Sequence, residues 1–551
     1  MFVRRCCCIQ RRLGWRSTRL PQRDFSLQPL KKPNSVSKQV TEDEFVDHSE
    51  SPRDLILKVM STVPSQRELK HFLKRYVPQD DSGNNTNLTI NGDKQDLEKK
   101  RQRSTNAIVD ALFEGDTDRV ALAKVQGPFA KRGWNAVAST LIKLKRLGLT
   151  SIIVLDSVEW RKTLSKGELR NRMFLESMAL VESIERQGGR ARAFHVGVFE
   201  LSGHKIDAHV DMIQSSLDSN HLPVIIPILS AEDGAQNPIT ADEAMITLSE
   251  KLRAKKGYSG KNLTPAKIVV INHEGGIPNH ESPGTAHSLI NIKEEYSGIL
   301  QAYQAHPSWQ ETHPTAIENL TMVQSCLENL PSTSSAIITP VASLPSALIT
   351  NLITDKPLYS SSLPVKSTPL TSRHLSINTS RTTVLRHGTS IHYHKSIDTL
   401  DLDKLTALME ASFRKKLDRD AYYDRLGNVL DGAIIAGDYE GAVLVTKESS
   451  NDGSLQCSYL DKFAIAPQSQ GIGLTDILWK KMYDAWPELM WRSRKDNGVN
   501  KWYFERSDGF LRLPDSNWVM FWYGGNMYQQ ASELSSITRN ITASFSSLLT
   551  K

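Results

Sequence analysis

Cysteine is scarce in this chain, five in 551 residues, and Cys6, Cys7 and Cys8 stand together at the N-terminus. Cys326 and Cys457 are isolated, with no CxxC and no His/Cys ligand spacing around them. This excludes a disulfide framework and a zinc ribbon, and it suits a reducing compartment. No apolar run approaches the ~20 residues of a membrane-spanning helix, so no span is expected. A spread-out charge of one sign is missing too. The formal net charge is +7, but residues 1–25 hold seven arginines against one acid, Asp24. The remaining chain is close to neutral, which argues against a basic nucleic-acid surface.

What is present begins with that arginine-rich start. Phe2, Ile9, Leu13 and Leu20 fall on one helical face, with Arg4, Arg5, Arg11, Arg12, Arg16 and Arg19 around the others. An acid-poor amphipathic segment of this kind reads as a mitochondrial presequence. Arg23-Asp24-Phe25-Ser26 resembles a matrix-processing pattern, so cleavage after Phe25 and a matrix location are expected. Residues 26–104 follow as a helical segment (52–76, interrupted near Pro64) and a polar linker.

From 105 to 364, short apolar runs alternate with helical patterns. SIIVLD (151–156), ARAFHV (191–196), PVIIPIL (223–229) and KIVVINH (267–273) read as buried strands. Trp134, Val137, Leu141 and Leu144 mark a helix face. This alternation predicts a mostly parallel sheet covered on both sides. Residues 365–384 are Ser/Thr-rich and read as a linker, and a second domain is expected over 385–551. There, Asp401 to Leu417 is predicted helical and 432–448 a strand pair.

The most informative stretch is DKFAIAPQSQGIG (461–473). An alternating strand runs into Gln468-Ser469-Gln470-Gly471-Ile472-Gly473, and an amphipathic helix starts at Leu474. Two glycines where a strand becomes a helix let backbone N–H groups close on an anion such as a pyrophosphate. No Lys-Ser/Thr pair follows, so this is not a P-loop, and the third glycine of a dinucleotide fingerprint is missing. An unusually aromatic, cationic and amide-rich run, Trp491 to Gly524, comes next.

Taken together, LDKF, QGxG, WRSR, N-x5-Y and FWYG, in order between Leu385 and Met527, resemble the GNAT-type α+β acetyltransferase domain of the N-acetylglutamate synthase family, in its fungal mitochondrial form. The resemblance implies acetyl transfer from acetyl-CoA to the α-amino group of L-glutamate, with no metal. It implies cofactor contacts from Phe463, Ala464, Ile465, Ala466, Gln468, Gln470, Gly471, Ile472 and Gly473. Lys416, Lys462 and Arg492 match the positions that serve the amino-acid substrate, with Lys415 an alternative register for Lys416. Asn497 and Tyr503 match the catalytic pair, the first orienting the amine, the second serving the departing thiolate. The general base is left open, and Glu505 and Asp508 read as structural. Trp518, Phe521 and Trp522 read as core, and His392/His394 as solvated rather than metal-binding.

The order and lengths of the elements in 105–364 resemble the amino-acid kinase fold, a three-layer domain, most closely over 223–252. A Lys-x-Gly-Gly phosphate turn is replaced by Lys124-Val125-Gln126-Gly127-Pro128. One glycine remains, and the proline removes a donor N–H. The resemblance therefore implies a non-phosphorylating domain that binds arginine as an inhibitor and mediates homo-oligomerisation. A complex with acetylglutamate kinase is a further implied partner. Two alternatives stand beside this reading: a GNAT enzyme with another amine acceptor, or a non-catalytic regulatory partner of the kinase. The cations at the acceptor positions favour an anionic substrate over a polyamine.

Overall fold

The computed structural model describes residues 119–545, apart from 162–164, 232, 254–261, 345, 355–356, 358–359, 361, 364–380, 451–452, 472, 515 and 526. The expected presequence, the 52–76 helices, the polar linker, most of the 365–384 segment and Ile472 lie outside the described residues.

Arg119–Gly127 (β1), Leu149–Ser157 (β2), Ala191–Phe194 (β3), Leu222–Ile225 (β4), Pro265–Asn272 (β5), Leu289–Asn291 (β6), Ser335–Pro340 (β7) and Thr383–Arg386 (β8) form one eight-stranded sheet. Its order is β6-β8-β7-β5-β1-β2-β4-β3, parallel except where β7 meets β8. In β1, Ala121, Ala123 and Val125 face one core while Val120 and Leu122 face the other. Burial on both faces explains why the strand reads as a continuous apolar run. The first face is covered by Lys131–Arg146 (α1) and Lys166–Arg186 (α2). The second is covered by Ala241–Leu252 (α3) and Ala316–Asn329 (α4). The three-layer, mostly parallel architecture is the one expected.

Two boundaries differ from expectation. The run 223–229 is not one strand: it splits at Ile226-Pro227, sending Ile228–Ser230 into a separate four-stranded sheet. Proline has no N–H for a continuing ladder. Thr383–Arg386 pairs inside the first sheet, so that sheet runs past the expected domain boundary at 385. The second sheet begins at Ile391.

That second sheet contains Ile391–His394 (β9), Leu430–Ala436 (β10), Gly441–Ser449 (β11), Gln456–Ile465 (β12), Leu489–Arg494 (β13), Gly509–Arg512 (β14) and Trp518–Tyr523 (β15), in the order β9-β10-β11-β12-β13-β15-β14. All neighbours are antiparallel except β12 and β13. Leu402–Phe413 (α5) starts at Asp401, whose carboxylate accepts from the N–H groups of Asp403 and Lys404, and stops at Arg414 in the left-handed region. It is shorter than expected for that reason. Together with Arg419–Val429 (α6) and Ala531–Asn540 (α9) it covers one face of the sheet. Leu474–Ala485 (α7) covers the other, burying Leu474, Ile477, Leu478, Trp479 and Met482. Among the described residues no helix is long and apolar enough to cross a membrane.

Candidate active site

The site grows from a failure of pairing. Strands β12 and β13 run parallel and are joined through Tyr459 and Met490 alone among the described residues. Beyond that point, Asp461 sits at a bulge and residues 462–465 keep their partners on β11, with none on the β13 side among the described residues. A strand edge with free N–H and C=O groups inside a sheet can accept an extended amide chain. Ala464 and Ala466 beside it are buried, and Phe463 is half-buried.

This edge leads into the two-glycine loop. Gly471 and Gly473 have φ of 84° and 86°, a conformation that side-chain-bearing residues avoid. A Cβ on Gly473 would also stand 3.0 Å from Leu289 of the first sheet. Gly473 is the residue before α7, and its carbonyl accepts from Asp476 and Ile477. Gln470 turns inward, its amide donating to the Ile465 carbonyl over 3.3 Å. Gln468 is exposed. Among the described residues, none accepts from the backbone N–H groups of Gln470, Gly471 or Gly473. The loop therefore offers donors at the positive end of a helix.

The expected acceptor cations gather on the face covered by α5, α6 and α9. Lys462 is buried, with its Nζ 2.7 Å from Asp461 Oδ2 and 3.1 Å from Ser544 Oγ, and 4.7 Å from the centre of the Tyr422 ring. Burial pushes its pKa down, and Asp461 offsets part of that. Burial alone would raise the Asp461 carboxyl, yet Lys462, Arg425 and the Tyr422 hydroxyl hold it at about 2. Arg425 also pairs with Glu448. Asp461 is thus a buried ion-pair partner of Lys462 and too weak a base for catalysis. Arg492, one strand over, stacks 4.3 Å from the centre of the Trp518 ring. Its Nη atoms donate to the carbonyls of Thr538, at 2.6 Å, and Ile541, at 2.7 Å. The guanidinium thereby anchors the end of α9, a use the sequence did not suggest. Lys416 is exposed and Lys415 half-buried. Next to them, Leu417 bridges Phe545, while Asp418 N–H donates to the Ser544 carbonyl. The tail 541–545 thus touches the surroundings of all three expected cations.

Tyr503 belongs to the other face. It lies in the short helix Asn500–Phe504 (α8) and packs against Trp491 and Phe521, at ring distances of 5.5 and 5.6 Å. Its hydroxyl has no hydrogen-bond partner among the described residues, and burial lifts its pKa to about 12. Asn497 sits at the turn before α8, its amide donating to Ser493 Oγ at 2.8 Å and its oxygen accepting from Val499 N–H. It builds the turn that aims α8. Asn500, which the sequence reading passed over, is buried with an unpaired side-chain oxygen. Asp461, Tyr422 and Arg425 were also missed. The only signal was the aspartate in LDKF, since the other two come from a helix about 40 residues earlier.

In the first domain, the lysine of the degenerate phosphate turn is sealed. Lys124 Nζ is fully buried, 2.5 Å from Asp242, 3.2 Å from Asp156 and 2.9 Å from Asn319. Asp242 is delivered by the first turn of α3, which Thr240 and Glu243 close as a capping box. Elsewhere in this domain a cleft of about 390 Å³ is lined by Glu274, Asn279, Trp309, His313 and Arg381 among others. Among the described residues, no cluster of His, Cys, Asp or Glu could hold a metal ion.

A split antiparallel sheet with a glycine loop at the gap, behind a sealed kinase-like domain, defines an acetyltransferase of the GNAT class. Residues 392–543 match the family NAT, the N-acetyltransferase of N-acetylglutamate synthase. The chain is 34% identical to the mitochondrial amino-acid acetyltransferase of Coprinopsis cinerea, aligning 85% of this chain with 84% of that one. It is 32% identical to that of Laccaria bicolor, covering 86% and 92%. Among solved structures, N-acetylglutamate synthase from Neisseria gonorrhoeae, complexed with coenzyme A and N-acetyl-glutamate, is similar at 13% identity and a TM-score of 0.44, over 74% of this chain and 95% of that one. The chain belongs to the mitochondrial amino-acid acetyltransferase family.

Proposed function

We propose that this protein transfers the acetyl group of acetyl-CoA to the α-amino group of L-glutamate, in the mitochondrial matrix after removal of residues 1–25. The observation that carries the reading is the gap between β12 and β13. It has the anion loop at one end, Lys462 and Arg492 on one face and Tyr503 on the other. Pantetheine amides would pair with residues 463–466, and the loop N–H groups would hold the pyrophosphate. The thioester would lie in the gap, where the amine attacks from the cationic face.

The acceptor's two carboxylates suit the two cations near the gap. Lys462 is already positioned by Asp461 and Ser544. Arg492 would meet a carboxylate by exchanging tail carbonyls for a charged acceptor, a stronger partner. Tyr503, with its pKa near 12, is a poor source of a full proton. An ordinary thiol titrates at about 8.5, below this phenol, so complete transfer to the thiolate would run uphill. Its role is therefore a hydrogen bond to the sulfur as charge develops, with the proton lost by the attacking amine available to neutralise the thiolate. Asn497 would serve the amine from the turn it builds.

The kinase-like domain is read as regulatory, with arginine as its inhibitor. The 390 Å³ cleft suits a guanidino amino acid, since it pairs a carboxylate (Glu274) with an aromatic plane (Trp309) and a cation (Arg381). Homo-oligomerisation and a complex with acetylglutamate kinase complete the proposal. The test is CoA thiol release from acetyl-CoA, with and without L-glutamate and then with L-arginine. Glutamate-dependent release that arginine suppresses supports enzyme and regulation together. Release indifferent to glutamate in folded protein overturns the acceptor.

A further inference from the structure

Two buried side chains that no part of this reaction uses lie between the loop helix and the tyrosine helix. Asp476, in the first turn of α7, is 5% exposed, and Arg506, three residues after Tyr503, is 4% exposed. Their closest approach is 3.7 Å, too long for a direct hydrogen bond. What joins them is a pair of hydroxyls from the segment that leaves the last helix of the first domain, Ser346–Thr354. Arg506 Nε donates to Ser362 Oγ at 2.7 Å, and Nη2 donates to Ser360 Oγ at 2.8 Å. Each hydroxyl in turn donates a hydrogen bond to Asp476 Oδ1, over 2.5 Å from Ser362 and 2.7 Å from Ser360.

The guanidinium is fixed from its other side as well. It stacks 3.9 Å from the centre of the Trp502 ring, and Nη1 donates to the Trp502 carbonyl at 3.2 Å. Trp502 in turn packs edge-on to Trp479 of α7 at 4.7 Å. The backbone closes the unit, because the Tyr503 carbonyl accepts from the N–H groups of both Arg506 and Ser507. A rotation of α8 that moved the Tyr503 hydroxyl would have to break this set. The chemistry needs arginine in particular. Adjacent N–H groups of one planar fork meet two hydroxyls at once, which a lysine ammonium does not reproduce.

We propose that Arg506 is a positioning residue that holds Tyr503 at the reacting sulfur by locking α8 to α7 through Ser360, Ser362 and Asp476. The segment connecting the two domains is then part of the active-site support. A shift of the first domain reaches the tyrosine through it. Lys480, one turn further along α7, pairs with Glu281 and Glu295 of the first domain, a second tie between that helix and that domain.

The proposal rests on the role given to Tyr503 above, and the experiment separates the two. Steady-state rates and thermal unfolding are measured on the full chain as wild type, Tyr503→Phe, Arg506→Lys and the combination. A Ser360→Ala/Ser362→Ala variant, made alone and with Tyr503→Phe, covers the case in which Arg506→Lys does not fold. Arg506→Lys and the serine variant are expected to lower kcat about 10–50-fold with the KM for glutamate changed less than twofold, and to add nothing in the Tyr503→Phe background. Equal fold-losses in both backgrounds, or none in the serine variant, would overturn the positioning role and leave Tyr503 standing. An unchanged kcat in Tyr503→Phe would overturn the tyrosine's role and the proposal with it.

Discussion

Three lysines are buried among the described residues, and the surroundings of two of them, Lys124 and Lys462, differ in charge. Lys124, in the first domain, meets two aspartates and an asparagine and is fully enclosed. Lys462, in the second, has one aspartate, a serine hydroxyl and two aromatic rings, and stands beside a gap in its sheet. The first has its charge neutralised by fixed carboxylates, so no phosphate can compete for it. The second has one compensating charge, and its other contacts, the Asp461 carbonyl at 3.3 Å and the Ser544 hydroxyl at 3.1 Å, are neutral groups that a charged ligand could displace.

The largest effect that tests this contrast is on stability. Lys124→Met would leave two carboxylates facing each other without a counter-charge, at a cost of about 3–5 kcal/mol. A drop in thermal midpoint is expected, with acetyl transfer per folded molecule near wild type. A loss of turnover without destabilisation would show that Lys124 still serves a ligand. Lys462→Gln should do the reverse, lowering kcat/KM for glutamate roughly 100-fold while acetyl-CoA affinity holds.

Asp461 sharpens the comparison through pH. Its folded pKa of about 2 lies below the ordinary value near 3.9, so its contribution is complete above pH 4 and disappears as pH falls through 2. The unfolding free energies of wild type and Asp461→Asn are expected to differ by about 2 kcal/mol at neutral pH. That difference should shrink between pH 4 and 2; a difference constant over the window would disprove the pairing. The smallest effect belongs to the loop. Gly473→Ala strains a positive φ and crowds Leu289, so a rise of about tenfold in the KM for acetyl-CoA is expected, with kcat at saturation within a few-fold.

Much of this architecture was legible in the chain. Alternation of apolar runs and helical faces foretold the parallel three-layer domain, because burial on both sides of a strand leaves no polar position. The glycine pair was visible since a positive φ restricts the residue type. The split of 223–229 at Pro227 and the membership of Thr383–Arg386 in the first sheet were not. Both depend on which edge a strand finds, and pairing is non-local. Tyr422, Arg425 and Arg506 escaped for the same reason, since nothing near them in sequence marks their partners.

The sequence by itself determined most element types, the two-glycine loop, the single glycine left after Lys124 and the set of cations, because those follow from local sterics and side-chain chemistry. Only the tertiary structure decided that Lys124 meets two carboxylates and Lys462 one. It also decided that Arg492 anchors the tail, and that serines from the interdomain segment join Asp476 to Arg506. Burial and partnership are properties of neighbours far apart in the chain, and an unpaired buried charge costs too much for those neighbours to be left to chance.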